Sequence, residues 1–226
     1  MALNFRHPAG KSRSLASIVA LLAASLLLGA CETTSFGGLS GSGEQRAERL
    51  AENGRHDDAA GAYIGLAVDA VGAEKDRYTL LAVEQWLDAG DVPRAERSFS
   101  KVQAPATGQL LPLWTTNSAA LSLYHGEPDA ALSLLEPMSR QPLPLRDRLR
   151  VEALRADAWI QKQDPARAVE LMKQRETWLD TSRQVEQNRS RLWQGLLFSN
   201  PQVLRQAAEI ATDEQTRGWL TLGSLA

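Results

Sequence analysis

Residues 78–99, YTLLAVEQWLDAGDVPRAERSF, and residues 114–135, WTTNSAALSLYHGEPDAALSLL, superpose at an offset of 36. Val83 falls on Ala119, Gly90 on Gly126, Ala95 on Ala131 and Phe99 on Leu135. The register extends upstream, where Ala47, Gly54, Ala59 and Tyr63 hold the same places 36 residues earlier. Downstream a step of 37 leads to Ala156, Ala168 and Met172, and a further 36 to Leu192 and Leu204, with Pro201 matching Pro165. Each unit thus places a small or aliphatic residue, a turn, a small residue and a large apolar one in fixed order.

Between the turns the apolar residues recur at three- and four-residue intervals, as in Leu80, Val83, Trp86 and Leu87, or Leu149, Leu154, Ala158 and Trp159. Val185, Leu192, Trp193 and Leu196 continue the pattern. That period is helical, and strand patterns are scarce after Glu44. Gly54, Gly90, Gly126, Asp164-Pro165 and Asn200-Pro201 interrupt the helices, and proline is tolerated in a first helical turn because its missing N–H would be unbonded there. A helix–turn–helix unit repeated at this period is the signature of a solenoid. The pattern resembles the tetratricopeptide repeat, with small residues where the helices cross. The expected fold is therefore all-α: a tetratricopeptide-like helical-hairpin solenoid of about five ~36-residue repeats over residues 44–212. The last stretch, 213–226, reads as a short capping helix folded back by Trp219 and Leu220. Ten helices about 9 Å apart would give a contour of roughly 90 Å before curvature shortens it.

The N-terminus is of another kind. Arg6, Lys11 and Arg13 precede an uncharged run from Leu15 to Ala30, which is too short to span a bilayer and reads as an export signal. Leu28-Gly29-Ala30-Cys31 resembles the bacterial lipobox, and Cys31 is the one cysteine of the chain. The resemblance implies cleavage before Cys31 and lipidation (thioether lipid and palmitate) of that residue. Glu32, being other than Asp, implies sorting to the outer membrane. Two or more acyl chains hold a protein stably at a bilayer. The domains expected are a signal peptide at 1–30, a lipidated Cys and Gly/Ser-rich linker at 31–43, and a helical domain at 44–226. The linker, ETTSFGGLSGSG from residue 32, has the composition of a flexible tether.

Of 226 residues 43% are hydrophobic and 23% charged, with 25 basic and 27 acidic side chains, a globular mixture with no basic excess. Removing residues 1–30 takes away three basic side chains and leaves 22 against 27 acidic ones. Nucleic-acid binding is disfavoured, and one Cys with three His disfavours metal and thiol chemistry. No nucleophile elbow, Walker loop, dinucleotide fingerprint or zinc signature occurs, so no catalytic residue, metal, cofactor or small-molecule substrate is expected. His56 beside Asp57 and Asp58, and His125 before Gly126, read as turn residues. Glu44, Glu48 and Glu52 read as the polar face of the first helix. The working part is expected to be a surface: in such solenoids the first helix of each pair lines a groove. Here Arg77, Glu84, Asp88, Tyr124, Arg150, Asp157, Gln161 and Trp193 are the candidate groove residues, able to take an extended peptide or a partner helix.

The C-terminal third carries a second resemblance. Asn188-Arg189-Ser190-Arg191-Leu192-Trp193-Gln194-Gly195-Leu196 is similar to the N-R-x-x-[IL]-W-x-x-L segment of penicillin-binding protein activators of the LpoA type. Arg217-Gly218-Trp219-Leu220-Thr221-Leu222 resembles the G-W-L-x-L stretch that closes the helical N-terminal domain of that family. Lipobox, tether, helical repeats and both motifs follow the family's order. The resemblance implies a non-catalytic outer-membrane lipoprotein facing the periplasm, which activates a class A penicillin-binding protein and so regulates peptidoglycan synthesis and cell shape. Family members continue into a large α/β domain resembling solute-binding proteins, whereas this sequence ends at Ala226. The expectation is thus the N-terminal spacer or interaction domain, as part of a longer protein or free-standing, with direct enzyme contact in doubt and no contact residues carried over. A tetratricopeptide-type outer-membrane assembly chaperone or pilotin, clasping a secretin or porin segment, is the alternative. A helical domain of a lytic transglycosylase is a third reading.

Overall fold

The computed structural model describes residues 39–105 and 107–226. The expected signal sequence, Cys31 and residues 32–38 of the expected linker lie outside the described residues. Regular structure among the described residues is entirely helical. In chain order the helices are α1 (Leu39–Glu52), α2 (His56–Asp69), α3 (Gly72–Ala89), α4 (Val92–Phe99), α5 (Leu110–Tyr124) and α6 (Pro128–Ser139). They continue with α7 (Leu145–Gln161), α8 (Pro165–Glu176), α9 (Ser182–Leu197), α10 (Pro201–Ile210) and α11 (Glu214–Gly223).

The expected linker extended to Gly43, but α1 already includes residues 39–43. Gly43 faces α2: a Cβ there would lie 2.8 Å from Leu66 Cδ2, so a larger residue would displace the end of the Leu66 side chain.

The turns after α1, α3, α5 and α7 share one hydrogen-bond scheme. Gly90 N–H donates to Leu87 O at 3.1 Å and Asp91 N–H to Trp86 O at 2.8 Å. Gly126 and Glu127, and then Gln163 and Asp164, repeat the pair at 3.0 and 2.9 Å. This is the Schellman end of a helix, in which the first residue past the cap turns left-handed. Gly90 and Gly126 supply that conformation at φ 80° and 74°, while Gln163 adopts it at φ 59° against its own Cβ. Asp91 and Asp164 then start the next helix by accepting from the N–H groups of Arg94 and Arg167. Thr181 opens α9 with a capping box: its hydroxyl accepts from Gln184 N–H, and Gln184 Oε1 accepts from Thr181 N–H.

The positions singled out by the 36-residue register are core. Ala47, Ala59, Ala95, Ala131, Ala168 and Leu204 are fully buried, as are Val83, Ala119 and Leu135. Phe99 is the half-buried member, with its ring centroid 5.2 Å from that of Trp114. Successive helices α1 to α4 pack in sequence, as do α5 to α9. In addition α3 packs on α5, α5 on α7 and α7 on α9, so these four helices form an inner layer. Two buried clusters result, one built from α1–α7 and one from α7–α11, and Trp159 on α7 packs against both.

Two features depart from the sequence expectation. The first concerns the fifth unit. Its second helix, α10, packs on α8 and α11, and α11 packs on α8, α9 and α10. Gly223 of α11 sits where a Cβ would be 3.2 Å from Leu196 Cβ of α9 and 3.4 Å from Leu204 Cδ1 of α10. The terminal helix is thus wedged into the last unit as well as capping it, with Leu220 fully buried. The second concerns curvature. Arg183, at the start of α9, donates from Nη2 to Glu52 O at 3.0 Å and to Asn53 Oδ1 at 3.2 Å. The α1–α2 turn and the start of α9 therefore meet, so the row of described helices between them is curved.

Candidate functional site

The inner helices α3, α5, α7 and α9 bring five of the eight expected groove residues into one place. Asp88, Tyr124, Arg150, Asp157 and Gln161, joined by Arg191, line a cavity of about 230 Å³ whose apolar walls are Leu87, Ala120, Leu123 and Leu154. Asp88, Tyr124 and Gln161 occupy equivalent places, one per unit, at the C-terminal ends of α3, α5 and α7. Tyr124 donates its hydroxyl to Leu87 O, and Gln161 donates Nε2–H to Leu123 O at 3.0 Å. Deeper in the same layer, Asn117 donates to Leu80 O at 2.9 Å. The Tyr124 and Gln161 bonds tie α5 and α7 to a carbonyl near the C-terminus of the preceding inner helix, and the Asn117 bond ties α5 to the middle of α3.

Charges are arranged in pairs along the trough. Arg150 Nη1 lies 2.7 Å from Asp88 Oδ1, Arg191 pairs with Asp157, and Arg146 Nη2 lies 2.7 Å from Glu84 Oε1. The Coulomb field of Glu84 raises the pKa of Arg146, and that of Asp157 raises the pKa of Arg191. Arg175, which sequence reasoning did not single out, is different. Its Nε donates to Leu149 O at 3.0 Å and its Nη1 to Asn188 Oδ1, both neutral acceptors. Burial, reinforced by Arg191 and Arg150, pushes its guanidinium pKa down to about 10. No sequence signal distinguished it, because a basic residue in the last turn of α8 reads as an ordinary helix-end cation.

A second cavity, of about 510 Å³, adjoins the first and shares Asp88, Arg150 and Arg191 with it. It reaches from the α1–α2 turn at Gly54 and His56 to Arg175 and to Gln187 and Gln194 of α9.

The other three expected groove residues lie elsewhere. Arg77, at the start of α3, holds Glu44 of α1 bidentately at 2.6 and 2.9 Å. Glu84 is buried in its pair with Arg146 and lines neither cavity. Trp193 sits with its ring centroid 6.4 Å from that of Trp219, joining α9 to α11. Both tryptophans belong to the motifs compared with the activator family, so those motifs meet as packing partners.

The residues set aside as turn groups have structural partners. His56 Nδ1 is 2.9 Å from Gln85 Oε1, and His125 Nε2 is 2.8 Å from Glu96 Oε1. Among the described residues no group of three or more His, Cys, Asp or Glu could hold a metal ion. Among the same residues no helix is long and apolar enough to cross a membrane.

No family model matches the chain, and no solved structure matches it. Among curated proteins it is similar to "Penicillin-binding protein activator LpoA" of Photobacterium profundum, at 25% identity over 225 residues. That similarity covers 99% of this chain and 35% of the relative, so the chain spans about a third of the relative's length. The relationship is distant and agrees with the resemblance carried by the two tryptophan motifs.

Proposed function

We propose that the chain is the helical interaction region of a non-catalytic regulator of peptidoglycan synthesis, working on a class A penicillin-binding protein. The observation that carries this reading is the similarity to an activator of that name along 99% of the chain. Supporting it are the Trp193–Trp219 contact, which gives the two family-like motifs a shared structural role, and the repeated inner-layer bonds of a tetratricopeptide-like curved solenoid. In this reading four regular hairpins and a modified fifth compose that solenoid.

In this reading residues 1–30 are removed, Cys31 is lipidated, and residues 32–38 tether the helices to the outer membrane on its periplasmic side. A curled domain on a short tether presents a trough near the membrane; it does not act as a long rod. Activation is a coupling free energy, in which the regulator binds the active state of the enzyme better than the inactive one. The mature chain has a net acidic body, so anionic lipid offers it no attraction.

The test is glycan-strand synthesis by a purified class A penicillin-binding protein of the same cell, with and without the chain, alongside direct binding. Binding together with an increased rate supports the reading. Absence of binding, with recovery of a secretin or porin from envelope extracts in its place, would overturn it in favour of an assembly chaperone or pilotin.

A further inference from the structure

The guanidinium groups of the larger cavity outnumber the carboxylates that meet them. Arg150 is matched by Asp88 and Arg191 by Asp157, whereas Arg175 meets only Leu149 O and Asn188 Oδ1. Arg150 Nε is buried with no hydrogen-bond partner. Glu52, the remaining carboxylate on the cavity wall, stands on its exposed rim. A half-buried cation whose bonded partners are neutral is less well stabilised than a paired one, and a single negative charge placed beside it recovers the missing interaction. The depressed pKa of Arg175 has the same physical origin.

The chemistry of the site selects among anions. The excess is one positive charge, which a carboxylate balances; a phosphate group, at about −1.5 to −2, overshoots it. Guanidinium forks pair with planar carboxylates through two parallel bonds. Gln187 and Gln194 on the wall present both donors and acceptors, as a peptide backbone requires. The adjoining compartment of about 230 Å³, walled by Leu87, Leu123 and Leu154, has room for an aliphatic side chain. The two compartments share Arg150 and Arg191, so a carboxylate and the side chain next to it can be held together.

The geometry points to a binding site for the free C-terminus of a peptide, with the carboxylate among Arg175, Arg191 and Arg150 and an apolar last side chain over Leu87, Leu123 and Leu154. This inference depends on the trough and stands apart from the penicillin-binding protein reading.

The test is calorimetric titration of the full-length chain in detergent micelles with acetyl-Gly-Ala-Leu as the free acid. Its C-terminal amide, sodium acetate and inorganic phosphate are titrated in parallel. The free acid is expected to bind saturably, the amide and acetate at least about tenfold more weakly, and phosphate no better than acetate. Arg175→Gln is expected to weaken the free acid by about tenfold or more without lowering the melting temperature, since it removes a half-buried charge that no carboxylate bonds. Gln187→Glu alters an exposed side chain, leaves the fold intact and supplies an internal carboxylate that competes with the ligand. It is expected to abolish binding, which keeps the test decisive if Arg175→Gln unfolds. Equal binding of acid and amide, no saturable binding of the acid, tighter binding of phosphate, or unaltered binding by Gln187→Glu would each overturn the proposal.

Discussion

Glu44 shows how much a single side chain contributes to joining elements here. Its carboxylate accepts both Nη atoms of Arg77 and the hydroxyl of Tyr78, and so fastens α1 to α3. The hydrogen bond from Arg77 lowers its pKa below the ordinary 4.5. As pH falls through 4.5 the unfolded chain takes up this proton first, so stability is lost from there down through the lowered folded value. The melting temperature is therefore expected to fall below about pH 4.5, and Glu44→Gln to melt lower at pH 7 with a shallower acid slope. Parallel thermal melts between pH 3 and 7 check this, and identical slopes would remove Glu44 from the account. Gln163 is the opposite case, a residue set against its backbone. Its left-handed φ of 59° stands where the earlier units have glycine. Gly126→Ala places a Cβ in the same conformation with open space around it, so only backbone strain is added. It is expected to cost about 1–2 kcal/mol in denaturant unfolding. The 36-residue spacing locates that fourth turn but cannot show that glutamine would tolerate it.

At the scale of the helices, most of the layout was legible because burial and the repeat share one periodicity. A residue that must be small where two helices cross recurs wherever the crossing recurs, which is why Ala59, Ala95, Ala131 and Ala168 were found from spacing and all prove fully buried. Ala95→Trp and Ala131→Trp each force a large ring into such a crossing. Overpacking of this kind costs about 1–3 kcal/mol or more, or a fall of about 2–12 °C in melting temperature for a chain of this size. Unchanged melts of both variants would show that these alanines do not set the helix separation. What spacing did not reveal are places where an element departs from its own repeat. The helical start of α1 was concealed by a Gly/Ser composition that also suits a linker, and Gly43 proves to be a contact residue against Leu66. Trp193 reads from the sequence as an outward position on the first helix of its pair, and so as a groove residue. The wedged α11 offers Trp219 as a partner instead, and that contact is long-range and leaves no local signature. Arg175 escaped for a related reason, since the lack of a facing carboxylate belongs to α7 and α9 as much as to α8.

The curvature between α1 and α9 belongs to no single hairpin, because it joins residues 130 positions apart in the chain. A straight row would set α1 and α9 four inner-layer steps apart, about 32–40 Å at ordinary interaxial distances. Arg183 instead reaches Glu52 O and Asn53 Oδ1. Exposed bonds of this kind contribute little to stability, so the contact reports the curvature more than it causes it. Spin labels on Asn53→Cys and Arg183→Cys, in a chain carrying Cys31→Ser so that no other thiol reacts, measure this distance directly. A main separation below about 25 Å is expected, because the label arms add to a direct contact, whereas about 32 Å or more would mean the row opens in solution. Labelling itself removes the Arg183 bonds, so a short distance would also place the curl in the inner layer. The same Cys31→Ser chain tests the proposed anchor: it should leave the membrane pellet for the soluble fraction, since the acyl chains are the proposed hold on the bilayer. Continued pelleting would mean that residues 1–30 are retained as an anchor, and the curled domain would then stand at the membrane that holds that segment.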